Sequence, residues 1–144
     1  MSTHAKIMIV DSNNIVTGIY CHFDGYLDGV GATLLEHYSD LDKVKDLIAL
    51  GSISYLEKSI ECPLGHSFNT PIKGYTVAYH RDRGEDFCQS RGVIENGIIE
   101  NIVFEQYNYV YFESDSEWYL KSKDNLTLLS TLIRSWLSYY LRLI

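Results

Sequence analysis

KIMIV, residues 6–10, is a short apolar run that stops at the turn formers Asp11-Ser12-Asn13-Asn14. IVTGIYCHF (15–23) follows and is rich in β-branched and aromatic residues, so the pair predicts a hairpin with a loop of about four residues. Asp24-Gly25 breaks the second strand. In GVGATLLEHY, Val30, Leu34 and Tyr38 recur with helical period, and Asp28 is placed to cap them. Gly29 and Gly31 weaken the first turn of that helix, and tight packing on a strand explains them better than approach of a ligand. DLDKVKDLIAL predicts a second helix with Leu41, Val44, Leu47 and Ile48 as its apolar stripe. Ser39 or Asp40 would cap it and Gly51 would end it. CPLGHSFNTPIKG (62–74) holds both prolines and is the longest loop expected.

Further along, YTVAYH (75–80) alternates and reads as a strand. GVIENGIIENIVFEQ supports two readings. Asn96-Gly97 between apolar pairs signals a hairpin, whereas Ile98, Ile99, Ile102 and Val103 recur helically; a helix over about 97–105 is favoured. YNYVYF and EWYLK flank Ser114-Asp115 as the clearest hairpin. Residues 124–144 predict a C-terminal amphipathic helix capped by Asp124, with Leu129, Leu132, Ile133, Trp136, Leu137 and Tyr140 on one stripe. Its end is apolar nearly all round and needs cover, which makes it a candidate oligomerisation element.

These elements predict an α+β fold: an antiparallel sheet of about five strands, near 6–10, 15–23, 75–80, 107–112 and 117–121, with helices packed on one face. The 144 residues fit a single domain, 1–144. With 46% hydrophobic and 22% charged residues the chain is globular in composition. The net charge of -7 argues against direct binding of nucleic acid, because Arg81, Arg83 and Arg91 are interleaved with Asp82, Glu85 and Asp86. Three cysteines, Cys21, Cys62 and Cys88, show no repeated spacing. With no secretory leader and no run near the ~20 apolar residues of a membrane span, a cytoplasmic protein with reduced thiols is expected.

Two stretches concentrate the chemistry, YCHFDGY (20–26) and AYHRDRGED (78–86). Alternation along extended backbone puts Tyr20, His22 and Asp24 on one face, with Cys21 and Phe23 turned to the core. In the second stretch it puts Tyr79 and Arg81 on one face and His80 and Asp82 on the other. If the stretches meet, they form a polar ligand site from Tyr20, His22, Asp24, Tyr26, Tyr79, His80, Arg81, Asp82, Arg83 and Glu85. Guanidinium forks hold phosphate or carboxylate, tyrosine faces stack on bases, and histidine and aspartate read polar edges. The plain alternative is a local ion-pair network around a turn. His22, Asp24, His80, Asp82, Glu85 and Asp86 are also competent ligands for a divalent ion in a hydrolase, and Cys62, His66, His80 and Cys88 for a zinc clip, but neither set has an ordered spacing. Cys21 beside His22 is a poor nucleophile–base pair, since neighbours on a strand face opposite ways. No cofactor is implied, and no phosphate-cradling or dinucleotide motif occurs.

YCHFDGYLDGVGATLLEHY, DKVKDLIALGSISYL, YHRDRGED and YNYVYFESDSEWY resemble a family of small bacteriophage and prophage proteins, over about residues 15–121. The resemblance implies a viral accessory protein in the host cytoplasm and hands over no catalytic residues. The leading expectation is therefore an anti-defence protein that binds a small anionic, nucleotide-like ligand without turnover. A direct protein-binding inhibitor of a host defence factor and a metal-dependent phosphodiesterase are the alternatives.

Overall fold

The computed structural model describes residues 2–123 and 125–133. Its central strand is β1 (Ala5–Val10), buried along its whole length. β1 pairs antiparallel with β2 (Ile15–Cys21) and parallel with β7 (Tyr107–Phe112). A strand covered on both faces loses polar alternation, which explains its near-continuous apolar run. Among the described residues nine strands form one sheet, in the order β4 (Val77–Ala78), β3 (Ile53–Tyr55), β2, β1, β7, β8 (Glu117–Ser122) and β9 (Asn125–Leu128). β5 (Ser90–Glu95) and β6 (Ile98–Glu100) lie off that path. The outer edge of β2 is shared: Ile15–Gly18 pair with β5, and Cys21 pairs with β3.

The expected antiparallel sheet of about five strands with helices on one face is corrected by this topology. The sheet is mixed, with parallel pairing at β1–β7 and β2–β3; β3 and β9 fall where the sequence predicts no strand, and β5 and β6 form the hairpin that is the second reading of their segment. The helical part is small: a π-helical turn (Leu27–Gly31) runs into α1 (Ala32–His37), followed by α2 (Leu41–Ala49) and the five residues of α3 (Tyr79–Arg83). Two- and three-residue strands such as β4 and β3 are too short to carry a period. Parallel pairing is a property of distant segments and leaves no local mark.

Local rules hold where one signal dominates. The Asp40 carboxylate accepts from the Lys43 N–H at 3.3 Å and starts α2, as a cap should. Asp28, by contrast, lies inside the π-helical turn and makes no cap. Residues 97–105 do not form the favoured helix. Asn96 and Gly97 have φ of 52° and 77°, the two left-handed positions of a type I′ turn, and they join β5 to β6. Ile98 then points outward, and Ile99 is buried. A Cβ at Gly97 would meet nothing within 4 Å, so Gly97→Ala tests the backbone conformation alone. It is expected to lower stability by about 1 kcal/mol in urea unfolding; an unchanged midpoint would contradict the assigned turn.

Apolar side chains cover the sheet on both faces. On one, Ile7, Ile19 and Tyr109 pack with Leu34 and Leu47 of the helices. On the other, Met8, Val16 and Val110 pack with Ile94, Ile99 and Ile102 of the β5–β6 hairpin and its exit. This second core ends before the start of β1 and the end of β2, where polar side chains take over that face. Of the segment expected to be one helix, 125–128 form β9 and 129–133 are helical. Asp124 and residues 134–144, with Trp136, Leu137, Tyr140 and the expected self-association, lie outside the described residues. Among the described residues no helix is long and apolar enough to cross a membrane.

Candidate functional site

The β1–β2 register sets Lys6 opposite Tyr20, and one row further the rings of His4 and His22 face each other at 4.7 Å. Tyr20 shares its face with Gly18, while Ile19 and Cys21 enter the helix-side core. The Tyr20 hydroxyl stands 2.9 Å from His4 Nδ1 and 2.7 Å from His22 Nδ1. His4 Nδ1 is also 2.9 Å from the His22 carbonyl oxygen, and His22 Nε2 is 3.3 Å from Ser2 Oγ. A carbonyl only accepts, so His4 carries its proton on Nδ1 and shares it between the carbonyl and the Tyr20 oxygen. With that tautomer Tyr20 accepts from His4 and is left to donate to His22 Nδ1. The contacts join His4, Tyr20, His22 and Ser2 in one network. Burial first, then Glu105, Tyr79 and Cys21, push the Tyr20 phenol above its ordinary 10.0, so it remains a donor.

Lys6 lies on the same face and is only 6% exposed. Its stem runs over Gly18, where a Cβ would stand 3.4 Å from Lys6 Cδ and 3.0 Å from Met8 Cγ. The ammonium reaches Ser90 Oγ on β5 at 3.4 Å. Asn108, paired with Lys6 from β7, is occupied with both backbone groups of Glu105 at 2.9 Å.

The second stretch is not the extended strand that alternation required. β4 stops at Ala78, whose N–H donates to Asp82 Oδ2 at 2.8 Å; Tyr79–Arg83 turn as α3, and Gly84 ends it at φ 74°. Arg81 is engaged within its own segment. Its Nε donates to Asp82 Oδ1 at 2.8 Å, one Nη donates to the Ile60 carbonyl, and the other to the Thr76 carbonyl at 2.9 Å. The Asp82 side chain is fully buried and also faces His66 Nε2 at 3.6 Å. Arg83 pairs with Glu85 at 2.7 Å and lies over the Phe68 ring, 3.9 Å from its centre. His80 Nδ1 donates to the Glu85 carbonyl at 2.7 Å. For Arg81, Asp82, Arg83 and Glu85 the ion-pair alternative therefore describes the contacts.

The two stretches lie one strand apart. Cys21 pairs with Ile53, and Ile53 with Ala78, which places them on the order of 10 Å from each other. Tyr79 follows Ala78 directly and contributes to raising the Tyr20 phenol, while the ring contacts of Tyr20 are with His4 and His22 and that of Tyr79 is with Phe68. Asp24 and Tyr26 fall outside this group. Asp24 turns the chain at φ 59° and accepts from the Tyr26 hydroxyl at 3.2 Å. Tyr26 lines a separate cavity of about 620 Å³ with Leu27, Tyr107 and Leu132. The same turn ends strand alternation, so Phe23, expected in the core, is 42% exposed and packs edge-on to His22.

Other chemistries gain little from the geometry. Cys21 is buried, and burial drives its thiol up to about 12, far from a thiolate nucleophile. Among the described residues no three His, Cys, Asp or Glu side chains are grouped to hold a metal ion. His66, from the zinc-clip set, accepts the Ile72 N–H on Nδ1 at 2.9 Å and faces the Thr76 carbonyl with Nε2 at 3.2 Å. Sequence reasoning missed His4, Lys6, Ser90 and Glu105. Writing out the hairpin register would have found the first two, since period-two spacing puts them across from His22 and Tyr20. Compared with protein-family models, curated proteins and solved structures, the chain shows no match.

Proposed function

We propose that the chain is a non-enzymatic binding protein that holds a small anionic, nucleotide-like ligand on the face formed by His4, Tyr20, His22 and Tyr79. The observation that supports this best is the shared Tyr20 hydroxyl, which orients two imidazoles on a half-buried aromatic surface. The mutual contacts hold the rings in place, and the ring faces offer a stacking surface. Arg81 is not part of this face, because its guanidinium is engaged within the 60–82 segment. An anti-defence role in a phage-infected cell is supported by the sequence resemblance alone.

The deciding experiment incubates the purified chain with a pool of cyclic and linear nucleotides, desalts it, and identifies by mass spectrometry what remains bound. The expected outcome is one retained, uncleaved species, lost in Tyr20→Phe combined with Tyr79→Ala. Retention of nothing, or release of cleaved products, would overturn the reading. A second reading, a protein-binding inhibitor, draws on the cavity at Tyr26, where Leu27, Leu132 and Ile133 lie beside Asp28 and Glu36. It predicts a stable complex with a host defence protein and no nucleotide retained.

A further inference from the structure

Lys6 is the only lysine among the described residues that is buried. Its ammonium has three donors, and the one hydrogen-bond partner among the described residues, Ser90 Oγ at 3.4 Å, is distant for a charged hydrogen bond. None of the ion pairs among the described residues includes it. An apolar side chain of the same length would fill this path at lower cost than a cation without a counter-charge. The route is nonetheless built for a long side chain: Gly18 leaves β2 bare beneath the stem, and β5 brings a hydroxyl to its tip. Three strands thus cooperate to hold one cation beside the Tyr20 cluster with donor capacity unfilled.

We infer that Lys6, with the Ser90 hydroxyl, anchors the phosphate group of the ligand. This inference rests on the binding reading above and deepens it by naming where the anion sits. The β1–β2 register sets Lys6 opposite Tyr20, so a phosphate held by Lys6 and Ser90 lies beside the Tyr20 ring, which is left to the ring or sugar of the ligand.

Inorganic phosphate, AMP, adenosine and acetate are the probes, each titrated at constant ionic strength into protein carrying ¹³C and ¹⁵N lysine. Phosphate and AMP are expected to shift the Lys6 side-chain resonances saturably, while adenosine and acetate leave them in place. Lys6→Met keeps the stem over Gly18 and removes the unpaired charge. It is expected to melt at or above the wild-type temperature and to bind AMP about 10- to 100-fold more weakly. Unmoved Lys6 signals, equal shifts with acetate, or undiminished AMP binding by Lys6→Met would overturn the anchor. If Lys6→Met still retains a species from the nucleotide pool and the Tyr20→Phe, Tyr79→Ala variant does not, the anchor falls while the binding reading stands. If the wild type retains nothing, both fall.

Discussion

Replacing Asp82 by alanine is expected to lower stability by about 3 kcal/mol, the lower end of what breaking a buried ion pair costs. The carboxylate is fully buried and accepts from Arg81 Nε at 2.8 Å, from Arg81 Nη2 at 3.1 Å and from the Ala78 N–H at 2.8 Å. Alanine would leave the amide and the guanidinium facing the space it vacates. Arg81 keeps a quarter of its side chain exposed, so water takes up part of the loss, and the lower end applies. The damage should be local at first. Arg81, positioned by the Asp82 carboxylate, ties the Ile60 and Thr76 carbonyls together, so the two ends of the 60–76 loop depend on this pair, while the Phe68 N–H donates to the Asp82 main-chain carbonyl at 3.2 Å. Hydrogen exchange at Ile72 and Ala78 should speed up in Asp82→Ala more than exchange in β1. A urea midpoint within error of wild type would show that the loop is held by something else.

Acid provides an independent check on the same carboxylate. Burial acts to raise its pKa, but the Arg81 hydrogen bonds, the Ala78 N–H, the Arg81 charge and His66 together outweigh it and bring the group below its ordinary 3.8. Around pH 3.8 the unfolded chain therefore binds more protons at this site than the folded one. The stabilisation is fully present above that pH and is lost as pH falls through 3.8 toward the folded value. Stability of the wild type should drop more steeply below about pH 4 than that of Asp82→Asn, which has no charge to lose there.

Legibility in the sequence followed the range of each signal. β1, β2, β7 and β8 were readable because apolar runs met clusters of turn formers, and α2 because a cap, a stripe and a stop agreed. At 97–105 two local signals disagreed, and the backbone requirement of the Asn96-Gly97 turn prevailed over a helical period of isoleucines. The site divides in the same way. Tyr20 and His22 follow from alternation on one strand. Lys6 and Ser90 meet only through the pairing of β1, β2 and β5, which joins segments far apart in the chain. The engagement of Arg81 is hard to read from sequence because two of its four hydrogen bonds go to backbone carbonyls, of Ile60 and Thr76, and every residue has one. Nothing in RDRGED distinguishes a guanidinium aimed at a ligand from one aimed at the main chain.

Tyr109→Ala is expected to cost about 3–5 kcal/mol, as large-to-small changes at fully buried aromatic positions do. The informative partner is Tyr109→Phe, which keeps the ring and removes only the hydroxyl. That hydroxyl donates to the Gly25 carbonyl at 2.7 Å in the core, and burial first, with smaller contributions from Tyr107 and Cys21, holds the phenol far above its ordinary 10.0. Leaving the carbonyl unpaired should cost about 1–2 kcal/mol. The effect should travel, because Gly25 is a joint between the core and the proposed site. Its N–H donates to the Thr3 carbonyl at 2.9 Å, and a Cβ on it would stand 2.8 Å from the His4 carbonyl carbon. Loosening Gly25 thus loosens the strand entry that carries Ser2 and His4, while Tyr20 and His22 stay on β2. In Tyr109→Phe the His4 ring resonances should shift and broaden, and any nucleotide retained by the wild type should be held less tightly. Unchanged His4 and His22 signals in a destabilised Tyr109→Phe would break the link between this buried hydroxyl and the imidazole pair, and would leave the face held by β1 and β2 alone.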